Sequence, residues 1–203
     1  MNRHACERCG VKLPQSLSLN SPQSPTYLCG DCISSPPAWH TLTALCQYEY
    51  PVASMIQSLK YRAKLANAKF LSHLFISELE TRLQNQHPQC LLPVPLHPAR
   101  QRLRGFNQAI ELARPIAKAL AIPLDIMSCS RITNTHSQAS LDQFARLQNL
   151  QNAFVLNKSF TYKHIAIFDD VVTTGNTIRS LCKLLYSTGV EQIDIWCIAR
   201  ASK

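Results

Sequence analysis

Residues 165–177 read Ile-Ala-Ile-Phe-Asp-Asp-Val-Val-Thr-Thr-Gly-Asn-Thr, three chemical devices in an order that suits a ribose phosphate. The apolar Ile165 to Phe168 has the length and bounds of a buried strand, and it delivers the carboxylates of Asp169 and Asp170 to the strand's carboxyl end, where open α/β sheets bind ligands. Adjacent carboxylates accept hydrogen bonds from vicinal hydroxyls or hold a hydrated Mg²⁺. Thr173, Thr174, Gly175, Asn176 and Thr177 then offer hydroxyls, backbone N–H groups and a residue free to take positive φ, ahead of a predicted helix whose N-terminal amides attract anions. The plainer alternative, a turn with solubilising acids and an N-capped helix, explains one threonine but not the acid pair together with the glycine.

A second group of residues suits a metal. Cys6-x-x-Cys9 and Cys29-x-x-Cys32 are separated by 19 residues rich in Ser, Pro and Leu and nearly devoid of charge. Two thiolate pairs at this spacing close a tetrahedral Zn²⁺ site and leave no open position for catalysis, so the expected zinc is structural. So small a module buries too little apolar surface to fold alone, and metal binding must supply much of its folding energy.

The third group is basic. Between Lys60 and Arg104 stand eight Lys or Arg residues against two acids, which carries most of the formal net charge of +9. A surplus of this kind fits a polyanionic ligand or partner. Pro95 to Gln108 holds Arg100, Arg102 and Arg104, with Gly105 allowing a tight approach before a helix, and the arginine fork donates two parallel hydrogen bonds to phosphate. Lys60, Tyr61, Arg62 and Lys64 add charge and an aromatic face, and with Arg100, Arg102, Arg104 and Phe106 they make a candidate surface for single-stranded DNA, on which unpaired bases could stack. His97 and His136 receive no role, since a lone histidine is more often structural than catalytic.

The run at 165–177 resembles the PRPP-binding motif of type I phosphoribosyltransferases. That resemblance implies that Asp169 and Asp170 face the ribose hydroxyls and that Thr173 to Thr177 hold the 5′-phosphate, with Asn176 standing where the family carries a small residue. Pro93-Val94-Pro95-Leu96, the basic residues after it, and Arg104-Gly105-Phe106-Asn107-Gln108 are similar to the signature of the ComF family, as are Lys60-Tyr61 and the spacing of Arg131, Thr135, Gln138, Arg146, Asn149 and Phe154. The resemblance spans nearly all of residues 6 to 199. It implies a PRPP pocket with Mg²⁺, in which Leu96, Arg102 and Arg104 are further PRPP-binding candidates, the two arginines for the diphosphate. It also implies a zinc module and a cytoplasmic part in natural transformation, in the uptake or processing of incoming single-stranded DNA. Two alternatives stay open: a small-molecule phosphoribosyltransferase without a DNA role, and a DNA-binding adaptor with a non-catalytic PRPP pocket. In a further reading the zinc module docks a helicase-type ATPase or a recombination-loading protein of the uptake machinery. The general base and the acceptor are unassigned.

The elements that must position these groups follow from periodicity. Val52, Met55, Ile56 and Leu59 recur at helical spacing, and Phe70, Leu71, Leu74, Phe75, Leu79 and Leu83 predict a second helix with all six in the core. Leu91 to Val94 predicts the first strand, and Asn107 to Ala121 its crossover helix, with Ile110, Ala113, Ala117 and Leu120 inward and a bend at Pro115. Further strands are expected at Leu124–Ser128, Ala153–Leu156, Ile165–Phe168 and Ile193–Ala199, and helices at Ala139–Leu150 and Thr177–Ser187. Alternating strands and helices predict an α/β parallel sheet of doubly wound type flanked by helices, the type I phosphoribosyltransferase-like class. Ser34-Ser35-Pro36-Pro37 reads as a linker between a zinc-ribbon-like module, residues 1–38, and the main domain, residues 39–203. Two tight cysteine pairs in an odd total of nine, and no apolar run long enough for a bilayer or an export signal, favour reduced thiols, a cytoplasmic location and no membrane insertion.

Overall fold

In the computed structural model, which describes residues 5–14, 27–82, 87–133 and 153–201, four parallel strands carry the fold. They are β1 (Thr41–Gln47), β2 (Cys90–Pro93), β5 (His164–Val172) and β6 (Gln192–Arg200), in the spatial order β1-β6-β5-β2. β3 (Cys129–Arg131) and β4 (Phe154–Leu156) form a separate antiparallel pair. The helices are α1 (Gly30–Ser34), α2 (Val52–Arg62), α3 (Leu65–Arg82), α4 (Pro98–Arg104), α5 (Gln108–Ala119) and α6 (Asn176–Tyr186).

The central strands are apolar along their length because both faces of the sheet are covered. Side chains alternate, so Ile165, Ile167, Ile193 and Ile195 enter one core with Ile178, Leu181 and Leu185 of α6. Ala166, Phe168, Trp196 and Ile198 enter the other, with Ile56 and Leu59 of α2, Leu71 and Phe75 of α3, and Leu112 and Ile116 of α5. There Phe75 meets Phe168 and Trp196 edge to face, with ring centroids 5.9 and 6.3 Å apart. At the amino end of the sheet, Asp194 accepts hydrogen bonds from Thr41 Oγ1 at 2.7 Å and pairs with His164 Nε2 at 2.6 Å. Burial would raise the Asp194 pKa, but these contacts hold it below the usual carboxylate range.

Several expectations need correction. β1 was not foreseen, although it forms a sheet edge by pairing with β6. Phe70 and Leu74 lie on the exposed side of α3 rather than in the core, and Leu83 lies outside the described residues. The inward face of α5 is Ala109, Leu112, Ala113, Ile116 and Ala117, one step away from Ile110 and Leu120. Leu124 contributes only an isolated bridge to Leu91, and the strand expected at 124–128 begins instead at Cys129. The reason is Asp125, whose carboxylate accepts from the backbone N–H groups of Met127 and Ser128 and folds this stretch into a turn. The expected helix at Ala139–Leu150 lies outside the described residues, as do Thr135, His136, Gln138, Arg146 and Asn149.

Candidate functional site

β2 and β5 are neighbours, yet the chain leaves them in opposite directions: α5 follows β2 onto one face, and α6 follows β5 onto the other. A crevice opens between the carboxyl ends of two such strands, the place where ligands bind in open α/β sheets. Here it is a cleft of about 680 Å³ whose lining includes Lys60, Arg100, Arg104, Asp169, Asp170 and Thr177. Asp169 and Asp170 sit within β5 rather than beyond it, because β5 continues to Val172 by pairing with β6 after β2 has ended at Pro93. The side of β5 left bare by β2 is the floor of the cleft.

Asp170 is 3 % exposed. Its Oδ1 accepts from Gln108 Nε2 at 3.3 Å, and the Lys60 ammonium lies against Oδ2 as an ion-pair partner. The Lys60 ammonium is the group that covers this buried oxygen, so a ligand hydroxyl that takes Oδ2 must share it with Lys60 or displace it. Asp169 accepts from the backbone N–H of Asp170 at 2.8 Å. Burial and the neighbouring Asp170 charge push the Asp169 carboxyl well above its usual range, with Lys60 opposing. Like charges crowded in a shielded site favour a cation or a hydroxyl-bearing ligand.

The phosphate-type loop stands at the end of β5. Gly175 takes φ +78°, and a Cβ there would lie 2.9 Å from the ring of Trp39, so both conformation and space require glycine. α6 starts at Asn176, and the Asn176 N–H reaches Thr174 Oγ1 at 3.5 Å. Thr177 lines the cleft, whereas Thr173 and Thr174 are exposed at the turn.

The basic wall differs from expectation in a specific way. The Arg100 to Arg104 stretch is helical, capped by His97, whose Nδ1 accepts from the Ala99 N–H at 3.2 Å, and ended by Gly105 at φ +83°. Residues four apart share a helix face and residues two apart do not. Arg100 and Arg104 therefore line the cleft with Leu96, while Arg102 faces away from it. Arg131, to which sequence reasoning gave no function, joins them from the end of β3; burial and the charge of Arg100 lower its pKa, with Asp169 opposing.

Arg104 hydrogen-bonds Gln108 Oε1 and lies 5.8 Å from the Tyr61 ring centroid. Lys60, Tyr61 and Arg62 form the last turn of α2 on the cleft wall, Lys64 lies just past it, and Phe106 is half-buried against the core rather than presented as a stacking face. Asn107 caps α5 through the Ala109 N–H at 2.9 Å and donates to the Val94 carbonyl at 3.1 Å, so it fixes the loop rather than facing the cleft.

The four cysteines meet at a second place. Their Sγ atoms lie within 4.8 Å of one another, with Cys6 and Cys32 buried and Cys9 and Cys29 half-buried. Burial pushes the Cys9 thiol up to about 11, and burial with the neighbouring sulfurs raises Cys32. At Cys6 burial is outweighed by hydrogen bonds from the backbone at Cys29, Cys9 and Arg8, which bring it down to about 7. Four thiols converging in this way fit a soft tetrahedral cation.

A parallel sheet flanked by helices, with acids and a glycine turn at its switch point, defines a phosphoribosyltransferase-type α/β protein. The family model for the phosphoribosyl transferase domain matches residues 107–203. The chain is 34 % identical over 202 residues to competence protein F of Haemophilus influenzae, covering 97 % of this chain and 84 % of that protein. It is 33 % identical over 199 residues to DNA utilization protein YhgH of Escherichia coli K12, covering 96 % and 83 %, and 26 % identical over 195 residues to competence protein ComFC of Bacillus subtilis, covering 92 % and 73 %. This chain belongs to the competence protein F family. Among solved structures it is similar to a purine phosphoribosyltransferase from Pyrococcus horikoshii, with TM-score 0.41 at 17 % identity over 65 % of this chain and 74 % of that one.

Proposed function

We propose that the cleft binds PRPP with Mg²⁺ and that the protein acts in handling incoming single-stranded DNA during natural transformation. The observation that carries the PRPP reading is the acid pair on the edge of β5 that β2 leaves unpaired, between a glycine turn at a helix N-terminus and a wall of arginines. Asp169 and Asp170 would accept from the ribose hydroxyls, and residues 173–177 would hold the 5′-phosphate through N–H groups and hydroxyls. Arg100, Arg104 and Arg131 would neutralise the diphosphate. Mg²⁺, when bound, supplies charge neutralisation at the diphosphate. Lys60 holds the acids in place before ligand arrives and yields Asp170 to it. If C1 of the ribose reacts, the chain's task is positioning and charge stabilisation at an oxocarbenium-like centre.

The part in DNA handling rests on relatives called competence and DNA utilization proteins, together with the basic wall and the Tyr61 ring, which is 77 % exposed. The cysteine cluster would hold one structural Zn²⁺. A partner of the helicase-type ATPase or recombination-loading class fits the same reading. The test is calorimetry of PRPP with Mg²⁺ on the native protein and on the Asp169→Ala/Asp170→Ala double variant. Charge-assisted hydrogen bonds are worth about 1.5 to 3 kcal/mol each, so the double variant should lose binding at ordinary concentrations while keeping its fold. Equal affinity in the two proteins would place the ribose elsewhere. Diphosphate release across a panel of nucleobases then separates turnover from binding alone.

A further inference from the structure

The cysteine knuckle touches the main domain through four successive carbonyls. Glu7 O accepts from the Leu42 N–H at 2.7 Å, Arg8 O from Trp39 Nε1 at 2.5 Å, Cys9 O from Arg200 Nε at 2.6 Å, and Gly10 O from Gln47 Nε2 at 3.3 Å. Two of these four donors also touch the phosphate-type loop. Arg200, at the end of β6 and 5 % exposed, turns Nη1 onto the carbonyls of Val172, at 3.1 Å, and Thr173. Trp39, also 5 % exposed, packs its ring under Gly175 so closely that a Cβ there would clash at 2.9 Å, and the Arg179 guanidinium of α6 lies 5.4 Å from its centroid.

We infer that Arg200 and Trp39 are positioning residues that couple the four-cysteine module to residues 173–177, so that metal occupancy of the module sets the loop's affinity for a ribose 5′-phosphate. This rests on the PRPP reading above for the ligand, though not for the coupling itself. A guanidinium is a rigid planar fork, so it transmits a shift of the Cys9 carbonyl to Thr173 instead of absorbing it. The indole, bonded at one edge and packed against Gly175, does the same one residue earlier in the knuckle. Among the described residues the knuckle's buried apolar core is Cys6, Leu13 and Cys32, with Tyr27 and Leu28 packed against it, so a bound cation is what would keep its carbonyls in register. Two adjacent carbonyls thus hold the turn at two points, and loosening the module loosens the turn.

Coupling between sites is reciprocal, and that gives the test a readout which plain destabilisation would not move. Ribose 5-phosphate, PRPP with Mg²⁺ and inorganic diphosphate are titrated into zinc-loaded protein, zinc-depleted protein and the Trp39→Phe and Arg200→Lys variants. Zinc loss to a chelator is timed with and without PRPP, and amide exchange at residues 173–177 is followed in the same samples. Zinc depletion and both variants should weaken ribose 5-phosphate and PRPP by roughly tenfold, within the usual span of coupling between sites, while diphosphate affinity stays unchanged. PRPP should slow zinc loss from the native protein by a similar factor, and less in the variants. Gln47→Ala removes a contact to the Gly10 carbonyl that does not lead to the loop, and with the cation still keeping the Arg8 and Cys9 carbonyls in register it should leave ribose 5-phosphate affinity alone.

Trp39→Phe removes both the donor to Arg8 O and the outer ring carbons that pack against Gly175, so it breaks this link at both ends and remains informative if Arg200→Lys fails to fold. Unchanged ribose 5-phosphate affinity and unchanged exchange at 173–177 after zinc removal would overturn the coupling. Absence of any ribose 5-phosphate or PRPP binding by the native protein would instead remove the PRPP reading and the stated ligand with it. Faster exchange at 173–177 on zinc removal would then still uphold the mechanical link.

Discussion

Replacing Lys60 with methionine isolates the charge that balances the acid pair. Lys60 lies against Asp170 Oδ2, and the two side chains are 21 % and 4 % exposed. Methionine keeps much of the length and removes the ammonium, leaving two adjacent carboxyl groups whose remaining donors are Gln108 Nε2 at 3.3 Å and the Asp170 N–H at 2.8 Å. Stripping one partner from a buried pair costs about 3 to 5 kcal/mol, and the partial exposure of Lys60 sets the expectation at the lower end, about 3 kcal/mol. For a chain of this size that corresponds to a drop in melting temperature of roughly 6 to 12 °C. The pH dependence has a definite sign. Asp169 already has a raised pKa in the folded state, and losing Lys60, which opposes that shift, raises it further. The folded variant then binds more protons than the unfolded chain, so its stability falls as pH rises through the folded pKa. The deficit against the native protein should be largest in alkaline buffer, shrink in mildly acid buffer, and be reduced by Mg²⁺, which replaces the missing charge. Thermal melts across pH with and without Mg²⁺ measure all three effects. A variant as stable as the native protein in alkaline buffer, or a deficit that ignores pH, would refute the assignment of Lys60 as counter-charge to the acids.

Cys29→Ser should lower both zinc content, from about one per chain, and thermal stability, since metal binding is part of the folding free energy; elemental analysis with melts checks this, and metal-free protein of unchanged stability would remove the zinc site. At the other end of the sheet, Asp194 has a depressed folded pKa, so its contribution is present above the unfolded carboxylate value of about 3.9 and is lost as pH falls through the folded one. Asp194→Asn should therefore lower stability at neutral pH and flatten the acid limb of the stability curve, and an unchanged acid limb would argue against that assignment. Binding of single-stranded DNA should weaken with salt at a log-log slope of about −0.7 per neutralised phosphate, with Lys64→Ala/Arg100→Ala reducing the slope and Tyr61→Ala lowering affinity without changing it. No salt-dependent shift at low ionic strength would leave a small-molecule transferase as the better account.

The acid pair, the glycine turn and the paired cysteines could be picked out as candidates without coordinates, because these patterns are local. Two acids followed by a threonine-rich glycine turn, and cysteines paired at x-x spacing, are constrained by the ligand's own geometry, so spacing along the chain suffices. The parallel class of the sheet was equally plain, since strands buried on both faces read as unbroken apolar runs. What only the tertiary structure decided is how distant segments meet. Lys60 stands 110 positions from Asp170, and nothing in its own neighbourhood distinguishes a surface lysine from a counter-charge. The three arginines looked equivalent until α4 formed, after which helical period turned Arg100 and Arg104 into the cleft and Arg102 out of it. β1 escaped notice because an edge strand is defined by its pairing with β6 rather than by its own pattern. Arg200 and Trp39 follow the same rule: their parts depend on the carbonyls of a knuckle near the other end of the chain, and folding alone brings those groups together.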